Sequence, residues 1–205
     1  MSSSSADTTR IWFTSDTHFW HHNIIPYCGR PFGSTEHMNE ALIENWNAKV
    51  KPTDIVWHLG DFAFCNKDRA IEILEQLNGH KHLVLGNHDY KLIKKVDVFF
   101  EEIVDYKMLK VHLNYQADDG EIVQYHQPIV LCHFPILSWD LMRHGSWHLH
   151  GHCHGTLPTS PALRLDVGVD CHHYSPISVE DIQKIFALRT VTPEGSIQSD
   201  PLHAP

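Results

Sequence analysis

Near its start the chain carries an apolar run at residues 11–15 (Ile11, Trp12, Phe13, Thr14, Ser15), and similar runs recur at 54–59 and 81–85. Short apolar runs bounded by polar and glycine residues predict strands buried on both faces. Between them, residues 36–50 and 67–77 place apolar side chains at helical spacing (Met38, Leu42, Trp46; Ala70, Ile73, Leu74, Leu77), with Asn66 positioned as an N-cap. The first half therefore reads β-α-β-α-β.

The second half is richer in strand patterns. Residues 107–113 and 121–126 flank a turn at Asp118-Asp119-Gly120, and further strands are predicted at 129–132, 147–150 and 163–169. A last helix starts near Ser178, where Ser178-Val179-Glu180-Asp181 resembles a capping box, and runs to about Leu188. Alternating strands and helices followed mostly by strands predict an α/β sandwich with two sheets at its centre. No repeat or linker interrupts it, so one domain is expected over 10–190, with flexible tails at 1–9 and 191–205.

A chain of 205 residues is long enough to bury one core without covalent staples. Its five cysteines (28, 65, 132, 153 and 171) form no CxxC spacing, which argues against a disulfide framework or a thiolate zinc site. With 16 Lys+Arg against 25 Asp+Glu, the net charge of -9 is a poor match to long nucleic acid and leaves a small phosphorylated substrate held through cations as the better fit. The amino terminus has neither a basic nor an apolar leader segment and no stretch is long enough to span a membrane, so a cytoplasmic protein is expected.

The 19 histidines outnumber Lys and Arg together and turn attention to metal chemistry. Several lie just beyond the predicted strands: Asp16-Thr17-His18, Gly60-Asp61, Gly86-Asn87-His88-Asp89, Cys132-His133 and Gly151-His152-Cys153-His154. Ligand sites of α/β sheets form at the carboxyl ends of strands. Residues two apart on a strand share a face, which would aim Asp16 with His18, and His152 with His154, into one cavity, while Gly60, Gly86 and Gly151 permit close approach at the bends.

In this order, D-x-H, GD, GNHD, H and GHxH resemble the calcineurin-like metallophosphoesterase superfamily, over residues 10–154. The stretches 13–25 and 27–32 further resemble a small bacterial and phage-like branch of it. The resemblance implies a four-layer α-β-β-α sandwich with two central mixed sheets. It implies one metal on Asp16, His18 and His154, a second on Asn87, His133 and His152, and a bridging Asp61. A mixed oxygen and nitrogen donor set suits two ions among Mn, Fe, Zn and Ni. The implied reaction is in-line attack of metal-bound hydroxide on a phosphate ester, a diester favoured, with His88 as general acid and Asp89 orienting its ring. A nuclease acting on ends or single strands and a metal-free protein-binding scaffold are the alternatives.

After the D-x-H block, His21, His22, Asn23 and Arg30 are placed either to bind the substrate phosphate, Arg30 bidentately, or to cap the loop's own backbone. His58 sits inside a buried strand and reads as a core histidine. His144, His148, His150, His172 and His173 read as packing, surface or supporting residues, and Cys153 as packing. Trp20 is expected to wall the pocket or stack on a base.

Overall fold

The computed structural model describes residues 9–117, 119–158 and 162–189. The tails expected at 1–9 and 191–205 lie, apart from Thr9, outside the described residues, as does Asp118 of the predicted turn. The elements run β1 (Ile11–Thr14), α1 (Ile24–Tyr27), α2 (Thr35–Lys49), β2 (Ile55–His58), α3 (Lys67–Leu74), β3 (His80–Val84), α4 (Tyr90–Ile93), β4 (Glu102–Val104), β5 (Tyr106–Gln116), β6 (Ile122–Cys132), β7 (Trp147–His150), β8 (Arg164–Asp166), β9 (Ile177–Ser178) and α5 (Val179–Ala187).

Two mixed sheets result. The first has the order β4-β3-β2-β1-β9, parallel except for β9, and the second the order β5-β6-β7-β8, parallel except for β5. Alternation along β1 divides the core: Trp12 joins Met38, Leu42 and Trp46 of α2 and Ile73 and Leu74 of α3 on one face. Phe13 points the other way, with Trp57 and Val84, into a second core against Ile129, Leu131, Trp147 and Leu149.

Polar caps fix the helices. Ser34 Oγ accepts from His37 N, and Asn66 Oδ1 accepts from Arg69 N, as its position predicted. Ser178 Oγ accepts from Asp181 N and also donates to Asp181 Oδ2 (2.8 Å), so the acid of the predicted box grips the hydroxyl.

Two expectations need correction. Residues 121–126 and 129–132 form one strand, β6, because Pro128 falls one residue before β6 begins to pair with β7 and has only β5 beside it. The strand expected at 163–169 is only Arg164–Asp166, followed by a 3₁₀ turn at Val169–Cys171. In α5, Ile182 and Phe186 join the core between the sheets, with the Phe186 ring 5.1 Å from Trp147. Among the described residues the outer face at β7 is covered by the loop after β6, where the Trp139 ring lies 5.3 Å from His148 and Ile136 N donates to His148 Nε2 (3.0 Å).

Candidate metal centre

All five histidine and aspartate blocks fall in the loops immediately after β1, β2, β3, β6 and β7. These loops are laced together: Asp16 N donates to Gly60 O (2.9 Å), His18 N to Asp61 O (3.0 Å), Gly151 N to His133 O (3.0 Å), and Val169 N to Ser15 O (3.0 Å). Backbone hydrogen bonds thus join the carboxyl ends of the two sheets at one point.

The residues expected to share a cavity do come together, but not by strand alternation. Asp16 (φ 56°), His18 (49°), Asp61 (57°), His152 (68°) and His154 (47°) are all left-handed rather than extended. Each such residue costs about 1–2 kcal/mol, and this clustering of strain is characteristic of functional sites. Glycines make room for it. A Cβ on Gly60 (φ 94°) would stand 2.5 Å from Gly86 N, and one on Gly151 would overlap Ser15 Oγ and Asp16 Oδ2.

Two donor groups result, Asp16 with His18 and His154, and Asp61 with His133 and His152, the ligating atoms of each within 4.8 Å of one another. Asp61 Oδ2 lies between them, 3.6 Å from His18 Nε2 and 3.5 Å from His133 Nε2. His133 Nδ1 donates to Leu59 O (2.7 Å), which leaves the lone pair of Nε2 facing Asn87 Oδ1 (3.1 Å) and Asp61 Oδ2. Three acceptors converge there with no proton between them. In the first group Asp16 Oδ1 and His18 Nε2 are buried without a hydrogen-bond partner. Unpaired buried acceptors of this kind are costly unless a cation joins them, so the residues fit a metal pair.

The electrostatics agree with a site deprived of water. Burial raises the Asp16 carboxyl to about 7, with His154 opposing, and drives the His18 imidazole well below its usual range. Burial also lowers His133. His154 is raised against the pull of burial by its hydrogen bond to Asp170 and the charge of Asp16.

The supporting residues differ from expectation in two places. Asp89 does not orient His88. It is fully buried, and its carboxylate accepts from Asp61 N (2.8 Å), Phe62 N (2.9 Å) and Gly86 N (2.8 Å), clamping two ligand loops together. Arg30 does not face the cavity. All five of its N–H groups are engaged: Nε and Nη2 grip the Asp170 carboxylate (both 2.8 Å), Nη2 also reaches Asp16 O (2.7 Å), and Nη1 reaches Thr17 O (3.0 Å) and Met38 Sδ (3.4 Å).

His88 stands at the mouth, 40% exposed, with Nε2 4.0 Å from Asp61 Oδ2 and its backbone N donating to Asp61 Oδ1 (3.0 Å). His21 Nδ1 pairs with His18 Nδ1 (3.2 Å), which leaves His18 Nε2 for a ligand. His22 and Asn23 are exposed, and the His22 ring turns to Thr35 Oγ1 (3.4 Å) rather than to the cluster. His58 is a core histidine as expected, lowered to about 3 by burial, with Nε2 against Thr17 Oγ1 (2.9 Å) and Nδ1 accepting from Gly60 N. All five cysteines are free. Trp20 packs beneath Arg69 (4.2 Å) against the helical core and does not wall the pocket.

Sequence reasoning missed Asp170, Phe64 and Phe134. Asp170 accepts the Nδ1–H of His154 at Oδ2 (2.7 Å). The Phe64 ring stacks on His21 (4.3 Å, 15°) and meets His88 edge-on (5.1 Å), while Phe134 meets His133 (5.0 Å) and His152 (4.8 Å), both rings about half exposed. Nearness in the chain, Phe134 directly after His133 and Phe64 three positions after Asp61, was the available sign of the two phenylalanines.

The chain is 35% identical to the uncharacterized protein MJ1445 of Methanocaldococcus jannaschii over 185 residues, 86% of this chain and 91% of that one. It belongs to the family of that archaeal protein. The Gene 66 protein of Mycobacterium phage D29 is 29% identical over 186 residues, 80% of this chain and 90% of the phage protein. Among solved structures, a protein of unknown function from Aquifex aeolicus, AQ665, superposes with a TM-score of 0.65 at 27% identity, covering 87% of this chain and all of that one. No family model matches the chain.

Proposed function

We propose that this protein is a two-metal phosphoesterase that hydrolyses a small phosphate ester, with diesters preferred, on a calcineurin-like fold. The observation that carries the reading is the place of Asp61 Oδ2, within 3.6 Å of one imidazole nitrogen from each of two donor groups. Asp16, His18 and His154 would hold one ion, Asn87, His133 and His152 the other, and Asp61 both, with Mn, Fe, Zn or Ni suited to the donors. Such a pair, when bound, supplies Lewis acidity towards phosphoryl oxygens and an acidified water.

The chain's own residues do the rest. His88, half in solvent and tethered by its backbone to Asp61, is placed to hand a proton to the leaving oxygen. His21 holds the His18 ring from behind. Phe64 and Phe134 offer apolar faces on either side of the cluster, which suits the second ester group of a diester. With Arg30 committed to Asp170 and backbone, that guanidinium is not free for a monoester dianion, and a monoanionic diester needs less compensation.

The test is hydrolysis of bis-p-nitrophenyl phosphate and p-nitrophenyl phosphate by the EDTA-treated chain, with each of the four metals restored in turn. Metal-dependent cleavage, faster for the diester, is expected, and His88→Ala should keep its metals while losing roughly 10²- to 10⁴-fold in turnover. Failure to cleave either ester with any metal would sink the enzyme reading. No bound metal together with no turnover would favour the metal-free scaffold.

A further inference from the structure

We infer that Asp170 and Arg30 are positioning residues that direct a cation to Asp16, His18 and His154 and close off a competing site beside them. The inference rests on the metal-centre reading above and concerns residues which that reading leaves without a role.

A neutral imidazole has one donor nitrogen and one lone pair, and the partner of the first decides which nitrogen offers the second. Asp170 Oδ2 lies 2.7 Å from His154 Nδ1, so the proton sits on Nδ1 and the lone pair on Nε2, which points to Asp16 Oδ1 at 3.9 Å. His133 is set in the same way by Leu59 O, and His18 is held from behind by His21. Of these three imidazoles, only His154 has its proton held by a carboxylate among the described residues.

That carboxylate creates a hazard. Cys28, His154 and Asp170 also bring ligating atoms within 4.8 Å of one another and could compete for the ion. Arg30 removes the competition. Its Nε and Nη2 occupy Oδ1 and Oδ2 of Asp170, and with His154 on Oδ2 as well three of the carboxylate's roughly four lone-pair sites are taken and its charge is matched, which disfavours a metal there. The same Nη2 holds Asp16 O, so one buried guanidinium ties the backbone of one ligand to the partner of another. The geometry explains why an arginine lies beneath a cation site without opposing it: its charge is matched by Asp170 and its donors are all engaged.

The experiment uses the full chain, stripped with chelator and titrated with Mn²⁺ or Zn²⁺ against a chromophoric competitor. The wild type should bind two ions. Asp170→Asn should weaken one site about 10- to 100-fold and leave the other unchanged, as loss of a ligand's supporting partner does elsewhere. Arg30→Lys, which cannot cover both oxygens, should do the same. A second readout needs no variant: ¹⁵N-histidine NMR of the stripped wild type should show His154 with its proton on Nδ1. Unchanged affinity in Asp170→Asn, or a proton on Nε2 of His154 in the wild type, overturns the positioning role while leaving the metal centre standing. A wild type that binds no ion overturns the metal-centre reading itself.

Discussion

Replacing Asp89 by alanine separates the two roles this residue could play. Its carboxylate accepts three buried N–H groups, from Asp61, Phe62 and Gly86. A buried donor left without a partner costs about 1–3 kcal/mol, so three would cost roughly 3–9 kcal/mol. Against this, removing the charge relieves a burial penalty. The rise of the Asp89 carboxyl from 3.8 to about 6, caused first by burial, corresponds to roughly 3 kcal/mol at neutral pH. Set against each other the two terms give a net destabilisation of about 0–6 kcal/mol, centred near 3 kcal/mol, or on the order of 6–12 °C in Tm for a chain of this size. Urea unfolding and calorimetry at pH 7, with His88→Ala as a control of near wild-type stability, measure it. If Asp89→Ala kept wild-type stability and metal content but lost turnover, the clamp would be wrong and the orientation of His88 restored.

Three further outcomes are expected. Burial holds His148 at about 4 in the folded state, against roughly 6.5 when unfolded, so the unfolded chain binds the extra proton between these values and His148 costs stability as pH falls from 6.5 towards 4. His148→Gln keeps a donor for Val130 O and an acceptor for Ile136 N, and urea titrations at pH 7, 6 and 5 should show a slope shallower by about 1.4 kcal/mol per pH unit at its steepest; an unchanged slope would refute the neutral buried ring. Gly60→Ala combines φ 94° with a Cβ 2.5 Å from Gly86 N and should cost more than about 2 kcal/mol, whereas Gly33→Ala, with open space around its Cβ, should be nearly neutral by the same thermal assay. Phe64→Ala should raise KM for bis-p-nitrophenyl phosphate about 2- to 10-fold, the worth of one aromatic contact, with little change for the monoester; equal effects on both would remove Phe64 from diester recognition.

The strands β1 and β2 and the helices α2 and α3 were legible because burial on both faces leaves an apolar run and burial on one face leaves a helical period, while in β3 only the buried end, Leu83 and Val84, carried that signal. β4 and β9 were not, being three and two residues long and defined by the neighbours they pair with rather than by any pattern of their own. Pro128 hid the continuity of β6, since only the length of β7 shows that its missing N–H falls outside that pairing.

Chain order and residue type by themselves determined that Asp16, His18, Asp61, Asn87, His133, His152 and His154 follow strand ends, because parallel strands must deliver those ends to one side of a sheet. Only the tertiary structure decided what stands behind them. Arg30 and Asp170 are separated by 140 positions, and a guanidinium that grips a buried carboxylate has the same letter as one that faces substrate. Asp89 likewise is a carboxylate beside a histidine in the chain and a backbone clamp in space. The reason is physical: a polar group's role is set by which partners remain once burial has removed water, and that count exists only after the chain has folded.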